Sequence, residues 1–309
     1  MTVSTSPVTT ATPDNWTIWL GIGRPHILAI VFASTLTYGW IFTESHSLLI
    51  PAIAVWDWFI VNFMNKATDI EEDIANNIPG AQSAAVHQRK MEVMGFIMIA
   101  GGLGAGYFFV PAILGFRVIF TFIGLAYNYK LIPWIRGGQF MMTRFKELYF
   151  FKNFGSSMLF TLSVFIYPLF GLGAQNDYDL TKLLFAIAFF IPLELTYEII
   201  YDLRDIDGDT ASDVPTYPVV HGASNAKKII YGLLLFSAIF PLLGAATEIL
   251  RLREWVVVFG IIQQLILMRI FCGGEKMPTS RDAVLITWIG AVQLFSYNLW
   301  IVIGLPLGA

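Results

Sequence analysis

The chain has 309 residues, of which 56% are hydrophobic and 13% charged, with a formal net charge of −3 and a mean hydropathy of +0.65. A soluble domain is about 45–50% apolar, so the composition excludes an ordinary soluble protein and predicts an integral membrane protein. The single cysteine, Cys272, excludes an internal disulfide framework, and nothing in the composition indicates a nucleic-acid partner.

Long apolar runs follow one another along the chain. Because about 20 apolar residues cross a bilayer as a helix, we predict nine transmembrane helices near residues 25–43, 47–65, 92–110, 112–129, 154–173, 181–201, 229–247, 255–272 and 284–304. The runs are continuous and do not alternate in ten-residue segments, which favours an all-α bundle over a β-barrel. We expect one transmembrane domain over 1–309, with a polar cytoplasmic leader at 1–16.

The 19 lysine and arginine residues divide unequally between the two sides of such a bundle. Fourteen fall on the side of the N-terminus and the even-numbered loops, four, including Arg117, fall on the other side, and Arg269 falls inside a predicted helix. The positive-inside rule therefore predicts that the richer side is cytoplasmic.

A first acidic cluster, "NKATDIEED", follows the second predicted helix. Asn65, Asp69 and Asp73 are spaced i, i+4, i+8, so they share one helical face. The chain leaves the membrane here, which predicts that these acids lie near a helix C-terminus, where the helix dipole disfavours them. That position favours a functional role over a solvated helix end.

Three segments separate this cluster from the next. "HQRK", which contains His87, is predicted to be a loop on the same side, and "GGLGAG" at 101–106 lies inside a helix and favours close packing. The loop after the fourth helix is basic. It carries Lys130, Arg136, Arg144 and Lys146.

The second acidic cluster, "YDLRDIDGD", follows the sixth predicted helix. Glu198, Asp202, Asp205 and Asp209 are spaced i, i+4, i+7, i+11 and share a face as far as Gly208, which we predict ends the helix. Glu194 extends that face one turn deeper, and an ionisable residue at such depth is a functional hypothesis.

Both acidic clusters face the same side of the predicted bundle, with the basic loop between them. Hard divalent cations prefer oxygen ligands, and Mg²⁺ is usually held by a few carboxylates together with substrate phosphates. The pattern therefore predicts a clamp for a diphosphate and divalent cations.

Together, these features resemble the UbiA superfamily of intramembrane prenyltransferases over nearly the whole length of the chain. The family's first motif, NDxxDxxxD, matches Asn65, Asp69 and Asp73, and its second, EIxxDxxDxxGD, matches Glu198, Ile199, Asp202, Asp205, Gly208 and Asp209. Further matches are Arg24, Pro25, Tyr127, Lys130, Lys152, Asn153, Thr216 and Pro218. The chain departs from the pattern at Lys66, where the family usually has Asp, and in "NNIPGAQ", which lacks an Arg after the Pro.

The resemblance implies a helical bundle around a central chamber, in which Mg²⁺ helps to ionise an isoprenoid diphosphate for transfer to a lipophilic, aromatic acceptor. The metal ligands implied are Asp69, Asp73, Asp202, Asp205 and Asp209, of which the first four are also the expected catalytic residues. The implied substrate contacts are Asn65, Lys66, Tyr127, Lys130, Arg144, Lys146 and Glu198.

Two alternatives stay open. The same superfamily contains terpene cyclases, which begin with the same ionisation but capture the cation with the substrate's own double bonds. A transporter or ion channel is the alternative from another class, because intramembrane acids such as Glu194 can mark an ion path. The sequence shows no inverted repeat and no pair of broken helices, which disfavours a transporter.

Overall fold

Long helices, short helices and one β-hairpin alternate along the chain. The structure, a computed structural model, describes residues 21–76, 78, 80–174, 178–249 and 258–304, so the predicted leader at 1–16 lies outside the described residues. The helices are α1 (Pro25–Thr43), α2 (Leu49–Thr68), α3 (Ile70–Ala75), α4 (Ala81–Phe109), α5 (Leu114–Asn128), α6 (Tyr149–Thr161), α7 (Tyr167–Gly171), α8 (Leu180–Arg204), α9 (Ile206–Ala211), α10 (Tyr217–His221), α11 (Ala223–Ala246), α12 (Val258–Phe271) and α13 (Ser280–Val302). The strands are β1 (Ile132–Arg136) and β2 (Gln139–Thr143).

Among the residues that the structure describes, seven helical segments are long and apolar enough to cross a membrane. They are Gly21–Thr43, Ala81–Phe109, Pro111–Asn128, Phe151–Gly171, Leu180–Arg204, Ala223–Ala246 and Ser280–Val302. The two other predicted crossings fall on α2, which carries Asp57 and Lys66, and on α12, of which the structure describes 14 residues. The all-α, multi-spanning architecture is thus confirmed, apart from the short hairpin, while the count of nine crossings stays a prediction.

Helix α4 begins much earlier than the hydropathy pattern indicated. It starts at Ala81 instead of near residue 92, so "HQRK" and its His87 are helical and the predicted loop was wrong. The segment "AQSAA" is polar enough to escape a hydropathy criterion, but alanine has the highest helix propensity.

Both acidic motifs lie where a long helix breaks and a short one begins. Helix α2 ends before Asp69 and α8 ends before Asp205, and each Asp joins its long helix to α3 or α9. The predicted continuous helix ending at Gly208 was wrong, because Gly208 lies within α9 and its N–H donates to Asn76 Oδ1 at 3.0 Å. A side chain at Gly208 would collide with the Asn76 amide, which explains the glycine.

This break changes the electrostatic setting of the acids. Glu71, Glu72 and Asp73 lie in the first turn of α3, and Asp207 and Asp209 lie in the first turn of α9. For these five acids the predicted placement at a helix C-terminus is replaced by a helix N-terminus, where the dipole stabilises negative charge. Asp202 stays in the last turn of α8, as predicted.

A buried ion pair joins α2 to α5. Arg117 donates from Nη2 to Asp57 Oδ1 at 2.6 Å and from Nε to Oδ2 at 2.9 Å, while the Tyr167 hydroxyl donates to Oδ2 at 3.0 Å. Arg117 Nη1 also donates to the Gly102 carbonyl of α4 at 2.7 Å. The pair therefore ties α2, α4, α5 and α7 together about 18 Å along α2 from Asp69.

Residues Leu162–Ile166 form a π-helical turn between α6 and α7. Within it, the Ser163 carbonyl accepts a hydrogen bond from Thr35 Oγ1 at 3.2 Å, and its hydroxyl accepts one from Trp58 Nε1 at 3.0 Å. The turn is thereby fixed against α1 and α2.

The small residues of α4 make room for Arg117, which gives a testable prediction. A Cβ at Gly106 would collide with the Arg117 guanidinium, whereas a Cβ at Gly104 would meet open space. Overpacking costs about 1–3 kcal/mol, so Gly106→Ala is expected to lower the unfolding temperature in detergent while Gly104→Ala leaves it unchanged. Equal unfolding temperatures for the two variants would contradict the packing.

Candidate active site

A cavity of about 790 Å³ runs between α1, α2, α6, α8 and α13. This is the size range of sites that enclose small-molecule ligands. One end of the cavity is polar and acidic and the other is apolar and aromatic. All five carboxylates predicted as metal ligands line it, namely Asp69, Asp73, Asp202, Asp205 and Asp209, together with the predicted substrate contacts Asn65, Tyr127 and Glu198.

The four cations predicted as substrate contacts do not line this cavity. Lys130 is exposed. Lys66 is 1% exposed, and its Nζ lies 2.6 Å from Asp73 Oδ2. Lys66 therefore holds Asp73 from behind the cavity wall.

Arg144 and Lys146 hold the first acidic motif in the same manner. Lys146 Nζ lies 2.6 Å from both Asp69 Oδ1 and Glu72 Oε2, and Arg144 Nη1 lies 3.4 Å from Asp69 Oδ1. Arg144 follows β2 directly, and Lys146 lies in the 3₁₀ turn after it. The segment after the hairpin thus neutralises the start of α3.

Arg24, Lys152, Arg204 and Arg281 are the cations that do line the cavity. Lys152 contacts Asp202 Oδ1, and Asp202 Oδ2 accepts a hydrogen bond from Asn153 Nδ2 at 2.7 Å. Arg204 binds the carboxylate of its neighbour Asp205. The sequence analysis matched Arg24 and Lys152 to the family pattern but did not predict that they contact the substrate. No motif in the sequence singled out Arg204 or Arg281.

The backbone of Arg24 is strained. Its φ of 43° lies in the left-handed region, directly before Pro25, which begins α1. The left-handed region costs a residue with a Cβ about 1–2 kcal/mol, and such strain clusters at functional sites. The guanidinium of the same residue lies on the cavity wall, where Arg24 Nη1 donates to Asn62 Oδ1 at 3.5 Å.

The acidic end has the donor chemistry that suits a divalent cation. Burial and the surrounding carboxylates, among them Asp202, raise the pKa of Asp209 to about 7, and its Oδ2 has no hydrogen-bond partner among the described residues. In the described part of the chain no three His, Cys, Asp or Glu side chains lie close enough to hold a metal ion. Four of the five predicted ligands are instead paired with Lys or Arg. The oxygen donors fit Mg²⁺, provided that these ion pairs open.

The opposite end of the cavity is lined by aromatic rings. Trp58 and Phe160 have ring centroids 4.4 Å apart, and Tyr38, Phe189 and Phe190 complete this wall. Aromatic faces attract cations, and the apolar surface suits a hydrocarbon chain.

Two further acids stand between the polar and aromatic ends. Glu194 is buried and accepts a hydrogen bond from the Ser157 hydroxyl, and Glu198 accepts one from Ser156 Oγ at 2.9 Å. Glu194 lies about 12 Å along α8 from Asp202. The arrangement as a whole can bind an anionic head at one end and an apolar tail at the other.

Comparisons with known proteins agree with this architecture. The sequence model of the UbiA prenyltransferase family matches residues 60–288. A UbiA homolog from Archaeoglobus fulgidus, solved with DMAPP and Mg²⁺, shares 16% identity and a TM-score of 0.68, over 93% of this chain and 99% of the homolog. The same homolog solved with GPP and Mg²⁺ gives a TM-score of 0.68 at 16% identity, over 92% and 99% of the two chains.

A UbiA homolog from Aeropyrum pernix K1 is also similar, with 11% identity and a TM-score of 0.61 over 91% of this chain and 98% of that one. At these identities the solved structures show the fold. No curated protein sequence matches the chain.

Proposed function

The chain belongs to the UbiA prenyltransferase family, and we propose that it is an intramembrane enzyme that ionises an isoprenoid diphosphate and transfers the prenyl group to a lipophilic, aromatic acceptor. The observation that carries this proposal is the single cavity in which both acidic motifs meet at one end and aromatic rings line the other. The DMAPP and GPP bound by homologs of this fold support the substrate class.

We place the diphosphate at the acidic end. Arg24, Lys152 and Arg204 line that end and can neutralise phosphate oxygens. Asn65, Tyr127 and Glu198 lie on the same wall and are retained as substrate contacts. Lys66, Arg144 and Lys146 act indirectly, by fixing the carboxylates, and exposed Lys130 has no direct contact in this arrangement.

Five carboxylates are proposed to hold Mg²⁺, namely Asp69, Asp73, Asp202, Asp205 and Asp209. When bound, Mg²⁺ neutralises charge that develops on the leaving diphosphate oxygen. Lys152 and Arg204 are paired with two of these carboxylates, so they can turn to the phosphate oxygens when the carboxylates bind cations.

Ionisation breaks the bond between the allylic carbon and the diphosphate oxygen, and the electron pair leaves with the diphosphate. The allylic cation therefore forms near the acidic end, while the rings of Trp58, Phe160 and Phe190 at the other end of the cavity contact the hydrocarbon tail and exclude water. An electron-rich carbon of the acceptor attacks it and loses a proton.

Cyclisation is the second candidate function, because the aromatic wall would serve a folded polyene cation equally well. The choice is tested by incubating the purified chain with Mg²⁺ and geranyl, farnesyl or geranylgeranyl diphosphate, without acceptor, and analysing the organic extract by mass spectrometry. A cyclic hydrocarbon or alcohol supports a cyclase, whereas consumption only with a phenolic or quinone-precursor acceptor supports transfer.

The acidic end is proposed to open to the cytoplasm, because the cation-rich side of the predicted topology carries both acidic motifs. Labelling of a cysteine introduced at Asp207, which is exposed on α9, would test this in right-side-out and inverted vesicles. Labelling only in right-side-out vesicles would contradict the orientation.

Arg24→Gln is expected to weaken diphosphate binding about tenfold, since a hydrogen bond to a charged group contributes about 1.5–3 kcal/mol. Arg24 contacts Asn62 at 3.5 Å and has no carboxylate in an ion pair among the described residues, so its loss strands no buried charge. The measurement is the Kd of a non-ionising diphosphate analogue, with Arg89→Gln, at an exposed arginine of α4, as the control. Equal affinity in both variants would remove Arg24 from the site.

A further inference from the structure

One face of the β1–β2 hairpin is apolar and exposed throughout. The antiparallel register pairs Pro133 with Met142 and Ile135 with Phe140, and because strand side chains alternate, these four residues share a face. Ile135 is 70% exposed, Phe140 71% and Met142 45%, and Pro133 is also exposed. We call these four residues the hairpin apolar face.

The other face of the hairpin turns toward the protein at its base. Thr143 is buried there and its hydroxyl donates to Glu147 Oε2 at 2.6 Å, while the paired Ile132 is half-buried. Farther from the base this second face also carries exposed apolar side chains, Trp134 at 44% and Met141 at 45%. The hairpin apolar face lies opposite the buried Thr143 and is the more exposed of the two.

The hairpin segment, residues 129–144, differs in charge from residues 205–216, which also lie at the acidic end of the cavity. Residues 129–144 contain Lys130, Arg136 and Arg144 and no Asp or Glu. Residues 205–216, all described, contain four Asp and expose no large hydrophobic side chain. An exposed apolar surface flanked by cations suits a lipid surface with anionic headgroups.

The hairpin also lies at the level where a spanning helix ends. Helix α5 ends at Asn128, whose Oδ1 accepts from Asn65 Nδ2 at 3.3 Å at the acidic end of the cavity, and β1 starts four residues later. A segment tethered so closely to the end of a transmembrane helix lies at the membrane–water boundary.

We propose that the hairpin apolar face inserts into the interfacial region of the lipid bilayer, where the net positive charge of residues 129–144 favours anionic lipid headgroups. This contact anchors the chain segment that continues into Arg144 and Lys146, which hold Asp69 and Glu72. The bilayer thereby supports one wall of the candidate active site.

The test places a single bimane-labelled cysteine at Ile135 or Met142 of the full chain in a Cys272→Ser background, since Cys272 is the only cysteine. The protein is reconstituted into phosphatidylcholine vesicles with and without phosphatidylglycerol. Quenching is measured with nitroxide-labelled lipid and with aqueous iodide. Leu235→Cys on spanning helix α11 is the lipid control, and exposed Ser224→Cys is the aqueous control.

The expected result is quenching by lipid nitroxide and loss of iodide quenching to the level of Leu235→Cys at both hairpin positions, stronger with phosphatidylglycerol. Iodide quenching equal to that of Ser224→Cys would overturn the proposal. Shielding from both quenchers would also overturn it, because the face would then be covered by protein. None of these results depends on the proposed enzymatic function.

Discussion

Asp202→Asn is expected to lower turnover of an isoprenoid diphosphate at least about 100-fold. Removing one preorganised group that stabilises charge in the transition state typically has an effect of this size. Asp202 is 1% exposed and lines the acidic end of the cavity, where it is held by Lys152 and Asn153. The amide removes a negative oxygen donor while keeping the shape of the side chain. Asp69→Asn, in the first motif, is expected to have the same effect.

The matched controls lie on the short helices that follow the two substituted residues. Asp207→Asn on α9 and Glu71→Gln on α3 change exposed carboxylates and are expected to keep activity within a few-fold. Initial rates are compared after size-exclusion chromatography has verified folding, and Mn²⁺ binding by electron paramagnetic resonance gives a readout independent of turnover. Near-normal rates in Asp202→Asn, or equal losses in the controls, would refute the assignment.

Arg117→Met is expected to produce the largest loss of stability. Arg117 and Asp57 have side-chain exposures of 3% and 4%, so the substitution leaves a buried carboxylate without its counter-charge. Breaking such a pair costs about 3–5 kcal/mol, which should lower the unfolding temperature in detergent. Arg89→Met, at an exposed position of α4, is the control and should be neutral.

A double variant separates the ion pair from general packing. Asp57→Asn combined with Arg117→Met removes both charges, so it is expected to unfold at a higher temperature than Arg117→Met alone. If the double variant were less stable by the full sum of the single losses, the ion pair would not be the source of stability.

The sequence predicted the membrane-spanning bundle because long apolar runs are a strong local signal, and it placed both acidic motifs at one end of it. It could not predict the breaks at Asp69 and Asp205, since the i, i+4 spacing of the acids fits a continuous helix equally well. The start of α4 was missed for a related reason, because helix propensity without hydrophobicity is invisible to a hydropathy criterion.

The cations of the site were harder still. Lys152 meets Asp202 across 50 residues and Arg117 meets Asp57 across 60, so both pairs depend on helix packing. Charge and loop position favoured Arg144 and Lys146 as substrate contacts, yet these residues contact carboxylates from outside the cavity wall. Residue type predicted the chemistry of the site, and packing decided which residue of each type faces the cavity.

The π-helical turn at Leu162–Ile166 determines which side chains of α6 face the cavity. Such a turn accommodates one residue more than an α-helical turn, so deleting one residue from it would restore a regular helix and rotate α6 by about 100° relative to α7. Tyr167, which follows the turn, is held by its hydrogen bond to Asp57. The side chains that would move are therefore those of α6, among them Lys152 and Ser156. One inserted residue thus determines that these side chains face the cavity.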